Sequence, residues 1–282
     1  MARKQENKKS RSSVKQAGNK TMAQKADRHV LYQLSVQCVE PEIDFVDNTF
    51  TALRGRPASR LREDFCGTGN TSCEWVRRRD TNVALGVDLD GEVLEWGRKH
   101  NVAKLGKAAS RVTLLEQNVL DVEAEPMDVV LAMNFSYWIL SERKTLRHYF
   151  RRVRDSLVDD GILFLDCYGG YESSQTMKER TKQDKFTYVW DQAQYNPITG
   201  AMRCNIHFEF PDKSRMKNAF VYHWRLWTLP EVREMLDEAG FRTVTVHWEQ
   251  WDEDADEGSG LYHPAIDAEH DAAWVCYIVA EK

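Results

Sequence analysis

No stretch of this sequence approaches the roughly 18 consecutive apolar residues that cross a bilayer as a helix, and the N-terminus lacks an apolar signal region. A soluble, cytoplasmic protein with no membrane partner is therefore expected. The six cysteines, at 38, 66, 73, 167, 204 and 276, form no CxxC pair and no Cys/His cluster with metal-ligand spacing. Neither a metal site nor a disulfide framework is indicated, and reduced thiols are expected. A basic excess is missing too. The 39 Lys and Arg stand against 44 Asp and Glu, for a net charge of -5, which gives no global attraction to nucleic acid. No internal repeat is visible.

What the chain does hold is 42% hydrophobic and 29% charged residues over 282 positions. That suffices for one substantial core with a small appended lobe. Charge is uneven: residues 1–28 carry nine basic side chains against Glu6 and Asp27 alone. Residues 1–23 have almost no large apolar groups to offset the entropy of ordering, so a disordered basic tail is expected there. Helical spacing occupies 24–59, with Leu31, Leu34 and Cys38 on one face. Ile43, Val46, Phe50 and Leu53 then form a second face, closed by Gly55. This segment reads as a helical cap.

From Arg60 the pattern alternates between apolar strands and helices. Strands are expected at 60–65, 83–88, 112–115, 127–132 and 161–166. Thr71 and Glu74 suggest a capping box for the first intervening helix, and Thr228 with Glu231 a second one later. Near-continuous apolar runs separated by helices imply a parallel sheet covered on both faces. Strands at 241–248 and 273–280 have no helix between them, only an acidic loop, so they are expected to pair antiparallel. The fold class is thus α/β: a Rossmann-like, seven-stranded, mostly parallel sheet with an antiparallel last strand. Residues 60–170 and 228–282 form this core. Residues 171–227 interrupt it with alternating strands at 186–195, 202–210 and 215–227, a small antiparallel β insert.

Two elements carry chemistry. Gly67-x-Gly69 follows the first strand and opens a helix, where a cofactor can approach the backbone. Asp88 ends the second strand, where an acidic residue is placed to accept hydrogen bonds from ribose hydroxyls. Together they indicate an adenosine-containing cofactor. A dinucleotide fingerprint wants a third glycine, and Ser72 stands there instead.

Glu63-Asp64-Phe65-Cys66-Gly67-Thr68-Gly69 resembles the first motif of class I S-adenosylmethionine-dependent methyltransferases. Gly86-Val87-Asp88-Leu89-Asp90 is similar to their second motif, and Gln117-Asn118-Val119-Leu120 to their third. The resemblance implies S-adenosyl-L-methionine as cofactor. Glu63 would shape its methionine end, Cys66, Gly67 and Gly69 would pack against it, and Asp88 would hold the ribose. Leu89 would flank the adenine, with Asn118 and the Val119 backbone at the adenine edge. Phe65 replaces the usual first glycine, and Asn118 stands where an aspartate is common. The resemblance also places Asn134, after the fourth strand, beside the transferable methyl group. Tyr32 and Trp190 would reach the methionine end from above.

The acceptor is addressed by the insert. Phe220, Tyr222, Trp224 and Leu226 fall on one face of its last strand, with His223 and Arg225 on the other. Aromatic walls suit a sulfonium methyl or a methylated ammonium, and the placement resembles the lid of small-molecule enzymes such as glycine N-methyltransferase. The expected reaction is methyl transfer to a small-molecule N, O or S acceptor. Tyr168, His223 and His207 are candidate bases, and Arg225 or Arg203 a candidate carboxylate partner. Two alternatives stand beside it: an RNA (tRNA) methyltransferase using the basic tail as an electrostatic arm, and a non-catalytic cofactor-binding scaffold. If the insert's rings pack against a second copy instead, the protein is a homodimer.

Overall fold

A computed structural model describes residues 20–252 and 257–282 of the chain. The expected tail falls mostly outside them. Its last residues depart from expectation, because Met22–Lys25 form a helical turn (α1) capped by Thr21. That turn is held by two bonds to the turn at 210–214: the Met22 N–H donates to Asp212 (2.8 Å) and the Ala23 N–H to Ser214 (3.0 Å).

Two helices follow, α2 (Arg28–Val36) and α3 (Val39–Arg54). Asp27 caps α2 through the His29 N–H at 2.8 Å. Gly55 ends α3 in the left-handed region, with φ 65°. Ile43, Val46 and Phe50 are fully buried as the periodicity predicts, but Leu34, Cys38 and Leu53 are exposed. Cys38 is the N-cap of α3 rather than part of an α2 face. The break in the helix turns it outward.

Then come β1 (Arg60–Asp64), α4 (Asn70–Arg78), β2 (Val83–Asp88), α5 (Gly91–His100), β3 (Val112–Glu116), β4 (Met127–Ala132), α6 (Arg143–Ser156) and β5 (Leu157–Gly169). The insert supplies β6 (Met177–Lys182), β7 (Thr187–Tyr195), β8 (Ala201–Glu209) and β9 (Arg215–Arg225). The chain closes with α7 (Leu229–Ala239), β10 (Thr243–Asp252), β11 (Glu257–Ala265) and β12 (Trp274–Glu281). The Thr228/Glu231 capping box is present at α7. The one expected at Thr71 and Glu74 is not. Gly69 is the N-cap of α4 and gives no side-chain bond, so the helix starts two residues earlier. Glu74 pairs with Arg78 at 2.7 Å instead.

The main sheet runs β11-β10-β12-β5-β4-β1-β2-β3. Its five strands β1 to β5 are parallel, and β12 lies antiparallel between β5 and β10. Eight strands stand where seven are expected. The extra one, β11, pairs antiparallel with β10 at the sheet edge. Its Gly258, Gly260 and Pro264 read as loop in sequence, but an edge strand needs no apolar alternation and tolerates proline. The insert forms a separate four-stranded antiparallel sheet, β6-β7-β8-β9, in which β6 is likewise an unexpected, polar edge strand.

Apolar clusters fill both faces of the main sheet. One gathers Trp138, Phe150, Trp227 and Ile278, and the other Phe50, Trp75, Leu131 and Phe164. A third joins Leu31 of α2 to Phe186, Ile206 and Phe208 of the insert. Helices α1 and α2 therefore pack on the insert sheet and with it cover the carboxyl edge of the parallel strands, while α3 packs on the main sheet.

Candidate functional site

Where β1, β2 and β4 end, the structure encloses a cavity of about 400 Å³. Its floor is the loop after β1 together with Asp88, one wall is the turn after β4, and its roof is Tyr32 with Phe220, Tyr222 and Trp224 of β9.

The loop after β1 is built from left-handed backbone. Phe65, Gly67 and Gly69 have φ of 58°, 53° and 63°. Phe65 thus holds the conformation that a glycine adopts freely and a side chain resists by about 1–2 kcal/mol. Its ring packs 5.8 Å from Tyr149. The two glycines differ in what they permit. A Cβ on Gly67 would meet only Val93, at 3.9 Å, whereas one on Gly69 would come within 2.8 Å of Leu114. Gly67 lies open to the cavity, and a side chain at Gly69 would displace the tip of Leu114 on β3.

Asp88 holds this loop in place. Its carboxylate accepts from the Gly67 N–H at 2.8 Å and the Asp90 N–H at 3.0 Å. A carboxylate has about four acceptor positions, so Asp88 retains free lone pairs on a residue that lines the cavity. Beneath the floor, buried Arg62 donates to Asp64 at 2.9 Å, and the Tyr149 hydroxyl donates to the same carboxylate at 2.8 Å. Charged residues on a central strand are tolerated here because they satisfy one another.

Three more carboxyls stand at this edge of the sheet, and one of them, Glu63, lines the cavity. Glu63 accepts from the Ser72 N–H (2.8 Å) and hydroxyl (2.6 Å), yet burial pushes its pKa up to about 7. Asp166 at the end of β5 accepts from the N–H groups of Asn134 (2.6 Å) and Phe135 (2.8 Å), and burial raises it to about 7 as well. Those bonds clamp two consecutive left-handed residues, with φ of 56° and 55°. Glu42 of α3 is 8% exposed, with Oε2 unpartnered among the described residues, and burial beside Asp166 and Glu63 raises it to about 8. The Tyr32 phenol, buried against Tyr222, is pushed up to about 12.

Of the residues singled out in the sequence, Tyr32, Glu63, Cys66, Gly67, Asp88 and Asn134 line this one cavity. Leu89 is 68% exposed just beyond Asp88. Asn118 turns its Oδ1 back onto the Leu120 N–H at 3.0 Å, and Val119 is buried beside it. This loop reaches Asp88 through the Gln117 N–H, which donates to the Asp88 carbonyl at 3.0 Å.

The expected catalytic residues stand elsewhere. His223 is exposed on the opposite face of β9. Arg225 points away with it, bridging Glu231 at 3.1 Å and lying 3.7 Å over the Trp227 ring. Strand alternation excludes both from a cavity that Tyr222 and Trp224 face. Tyr168 is packed between Phe135, which meets it edge to face, and Trp138 (4.7 Å each), donates to the Met202 sulfur at 3.5 Å, and burial raises its pKa strongly. It lines a neighbouring cavity together with Trp190. His207 is engaged by Asp191 and the Asn218 N–H, and Arg203 by Asn205. Gln37, which also lines the cavity, and Asp166 and Glu42 beside it carry no role in the sequence reading. An acidic residue ending an apolar strand, as Asp88 does, is the signal that marks Asp166. Glu42 and Gln37 give none, since nothing local shows what their helix end packs against.

Residues 66–163 match the family model of the methyltransferase domain. A protein of Geobacillus sp. (strain WCH70) that bears a methyltransferase name is 21% identical over 222 residues, which span 76% of this chain and 87% of that protein. Among solved structures, an S-adenosylmethionine-dependent methyltransferase from Clostridium acetobutylicum ATCC 824 superposes with a TM-score of 0.66 at 15% identity, covering 90% of this chain and 96% of that one. An amino pentose methyltransferase from Micromonospora echinaspora does so with a TM-score of 0.63 at 16% identity, covering 90% and 95%. A methyltransferase-domain match over residues 66–163 thus stands beside a fold shared with S-adenosylmethionine-dependent methyltransferases and a cavity at the carboxyl edge of the parallel strands.

Proposed function

We propose that the cavity binds S-adenosyl-L-methionine along the carboxyl edge and that residues 171–227 act as a lid over a small-molecule N, O or S acceptor. Asp88 accepts from the ribose hydroxyls, Leu89 and the Asn118–Val119 loop meet the adenine, and Gly67 and Cys66 pack under the nucleoside. Glu63, Asn134 and Tyr32 enclose the methionine end. When bound, the cofactor supplies a methyl group already activated by its sulfonium centre. The protein's own contribution is alignment and exclusion of water, worth up to about 7–11 kcal/mol when geometry is favourable.

The observation that carries this reading is the roof: Phe220, Tyr222 and Trp224 close the cavity from the insert sheet. Tyr222 and Trp224 stack at 4.5 Å and present ring faces that suit a methyl-bearing cation. A 400 Å³ space of this kind suits a small ligand. The likeness to an amino pentose methyltransferase supports an acceptor of that size. The RNA reading rests on the basic tail, most of which lies outside the described residues.

Calorimetry with S-adenosylhomocysteine tests the cofactor half. Asp88→Ala leaves ribose hydroxyls unpaired and should weaken binding by about 1–3 kcal/mol without unfolding the protein. Unchanged affinity would remove the ribose assignment. The acceptor half is tested by labelled methyl transfer in separated small-molecule and RNA fractions of a cell extract. Label confined to RNA would overturn the small-acceptor reading.

A further inference from the structure

The insert sheet has a face that neither cavity uses. Glu179, Trp190, Phe220, Tyr222 and Trp224 turn toward the cavities, and Met216 packs inward with them. Strand alternation therefore turns Lys178, Arg180 and Lys182 of β6, Arg203 of β8, and Arg215 and Lys217 of β9 to the opposite side. Two carboxylates answer these six cations. Asp191 pairs with Lys178 at 3.0 Å and also meets His207 at 3.1 Å, while Glu209 lies 3.7 Å from Arg180 and 3.3 Å from Arg215. Arg203 donates to the neutral Asn205 side chain at 3.2 Å. Lys182 and Lys217 are exposed and pair with no carboxylate among the described residues.

Charge is thus segregated onto this sheet. Residues 177–225 carry nine Lys and Arg against five Asp and Glu, in a chain whose net charge is -5. Val221 is the one large apolar side chain exposed in β6 to β9 among the described residues. Such a face attracts a polyanion and gives a lipid bilayer little to insert. Along β6 the three cations stand two residues apart, about 6.8 Å per step. A straight row of this kind follows the regular charges of a phosphodiester chain, whereas a folded acidic protein presents scattered carboxylates. Arg180, Arg203 and Arg215 add planar forks that match phosphate oxygens in pairs.

A second observation bears on the same sheet. The chain joins it through α1, whose Met22 and Ala23 N–H groups are bonded to Asp212 and Ser214 in the turn between β8 and β9. Residues 1–20, which precede that anchor, carry seven Lys and Arg against Glu6 alone. Their point of attachment is the end of the basic face.

We propose that the outer face of the insert sheet docks single-stranded nucleic acid by its phosphate backbone. Lys178, Arg180, Lys182, Arg203, Arg215 and Lys217 hold the phosphates, and contacts of this type read no base. The face lies across β9 from Tyr222 and Trp224, so a strand docked there presents no acceptor atom to the cavity. Docking is separate from methyl transfer and does not rest on the cofactor or acceptor reading above.

The test is fluorescence anisotropy of a labelled oligouridylate of about 16 nucleotides, titrated with the full chain between about 50 and 200 mM KCl. Log affinity should fall linearly against log salt with a slope of about -3 or steeper, which corresponds to four or more phosphate contacts at about -0.7 each. Lys182→Gln combined with Lys217→Gln removes two contacts. It should make the slope shallower by about 1.4 and lower the affinity at the lowest salt by about tenfold or more. Both side chains are exposed, so an unchanged melting temperature is expected and serves as the check on folding. An unchanged slope in the double variant would assign the binding to the N-terminal residues and overturn the proposal. So would absence of binding at the lowest salt, or equal displacement of the oligonucleotide by poly-L-glutamate or by phosphatidylserine vesicles.

Discussion

At the scale of single residues, the site stores conformational and electrostatic cost in a few places. Phe65 is one. Replacing it with glycine relieves left-handed strain of about 1–2 kcal/mol but loses a half-buried ring and its contact with Tyr149. Alanine loses the ring and keeps the strain. Urea midpoints should therefore rank Phe65→Gly above Phe65→Ala by about 1 kcal/mol, and the reverse order would refute the strain. Glu42 is another. Its folded pKa of about 8, and those of Glu63 and Asp166 near 7, exceed the unfolded values near 4. The native state thus binds more protons than the unfolded chain between about pH 4 and 8. The associated stability is fully present below that window and is lost as pH rises through it. Glu42→Gln cannot ionise and should flatten the fall in Tm between pH 6 and 8, where one carboxyl contributes up to about 1.4 kcal/mol per pH unit. An unchanged slope would show that Glu42 is not its source.

At the scale of elements, the turn after β4 is held by another strand's end. Asp166 on β5 accepts from both Asn134 and Phe135 N–H groups, and the left-handed Phe135 resists its conformation by about 1–2 kcal/mol, more than the asparagine before it. Asparagine keeps one acceptor oxygen and turns an amide toward the second N–H. Asp166→Asn should therefore destabilise the protein by about 1–3 kcal/mol and weaken S-adenosylhomocysteine binding, since Asn134 lines the cavity. Thermal melts with and without the ligand separate the two effects. The sequence made this turn visible through its position after an apolar strand. The clamp was not visible, because it joins residues 32 positions apart. The helix after Gly69 shows the same limit. Thr71 and Glu74 satisfy the local capping pattern, yet the observed start is set by Glu63, whose carboxylate takes the Ser72 N–H.

At the scale of the whole molecule, two sheets and the N-terminal helices meet over one edge. The roof predicts a separation between the faces of β9. Tyr222→Ala and Trp224→Ala open the first cavity to water and should lower methyl transfer by about tenfold or more. His223→Ala should leave transfer near its native rate. Arg225→Ala should cost about 1 kcal/mol of stability, through Glu231 and Trp227, with little change in transfer. Turnover and Tm measured on the four variants check this, and equal turnover losses on both faces would show that β9 does not roof the site.

The sequence by itself determined the order of strands and helices, the glycine loop, the acidic end of β2 and the alternating faces of the insert. These are local signals, carried by apolar period and by residue type at a strand end. It also supported the family resemblance, because that rests on short contiguous motifs. Tertiary structure alone decided which face of β9 looks inward, that Tyr168, His223 and Arg225 stand outside the first cavity, and that β6 and β11 are strands. Edge strands are specified by backbone pairing with a neighbour, not by their own side chains. Tertiary structure also brought Glu42, Glu63 and Asp166 together from three separate elements. Their raised pKa values arise from burial, to which Asp166 and Glu63 add repulsion at Glu42, and neither exists until the chain has folded.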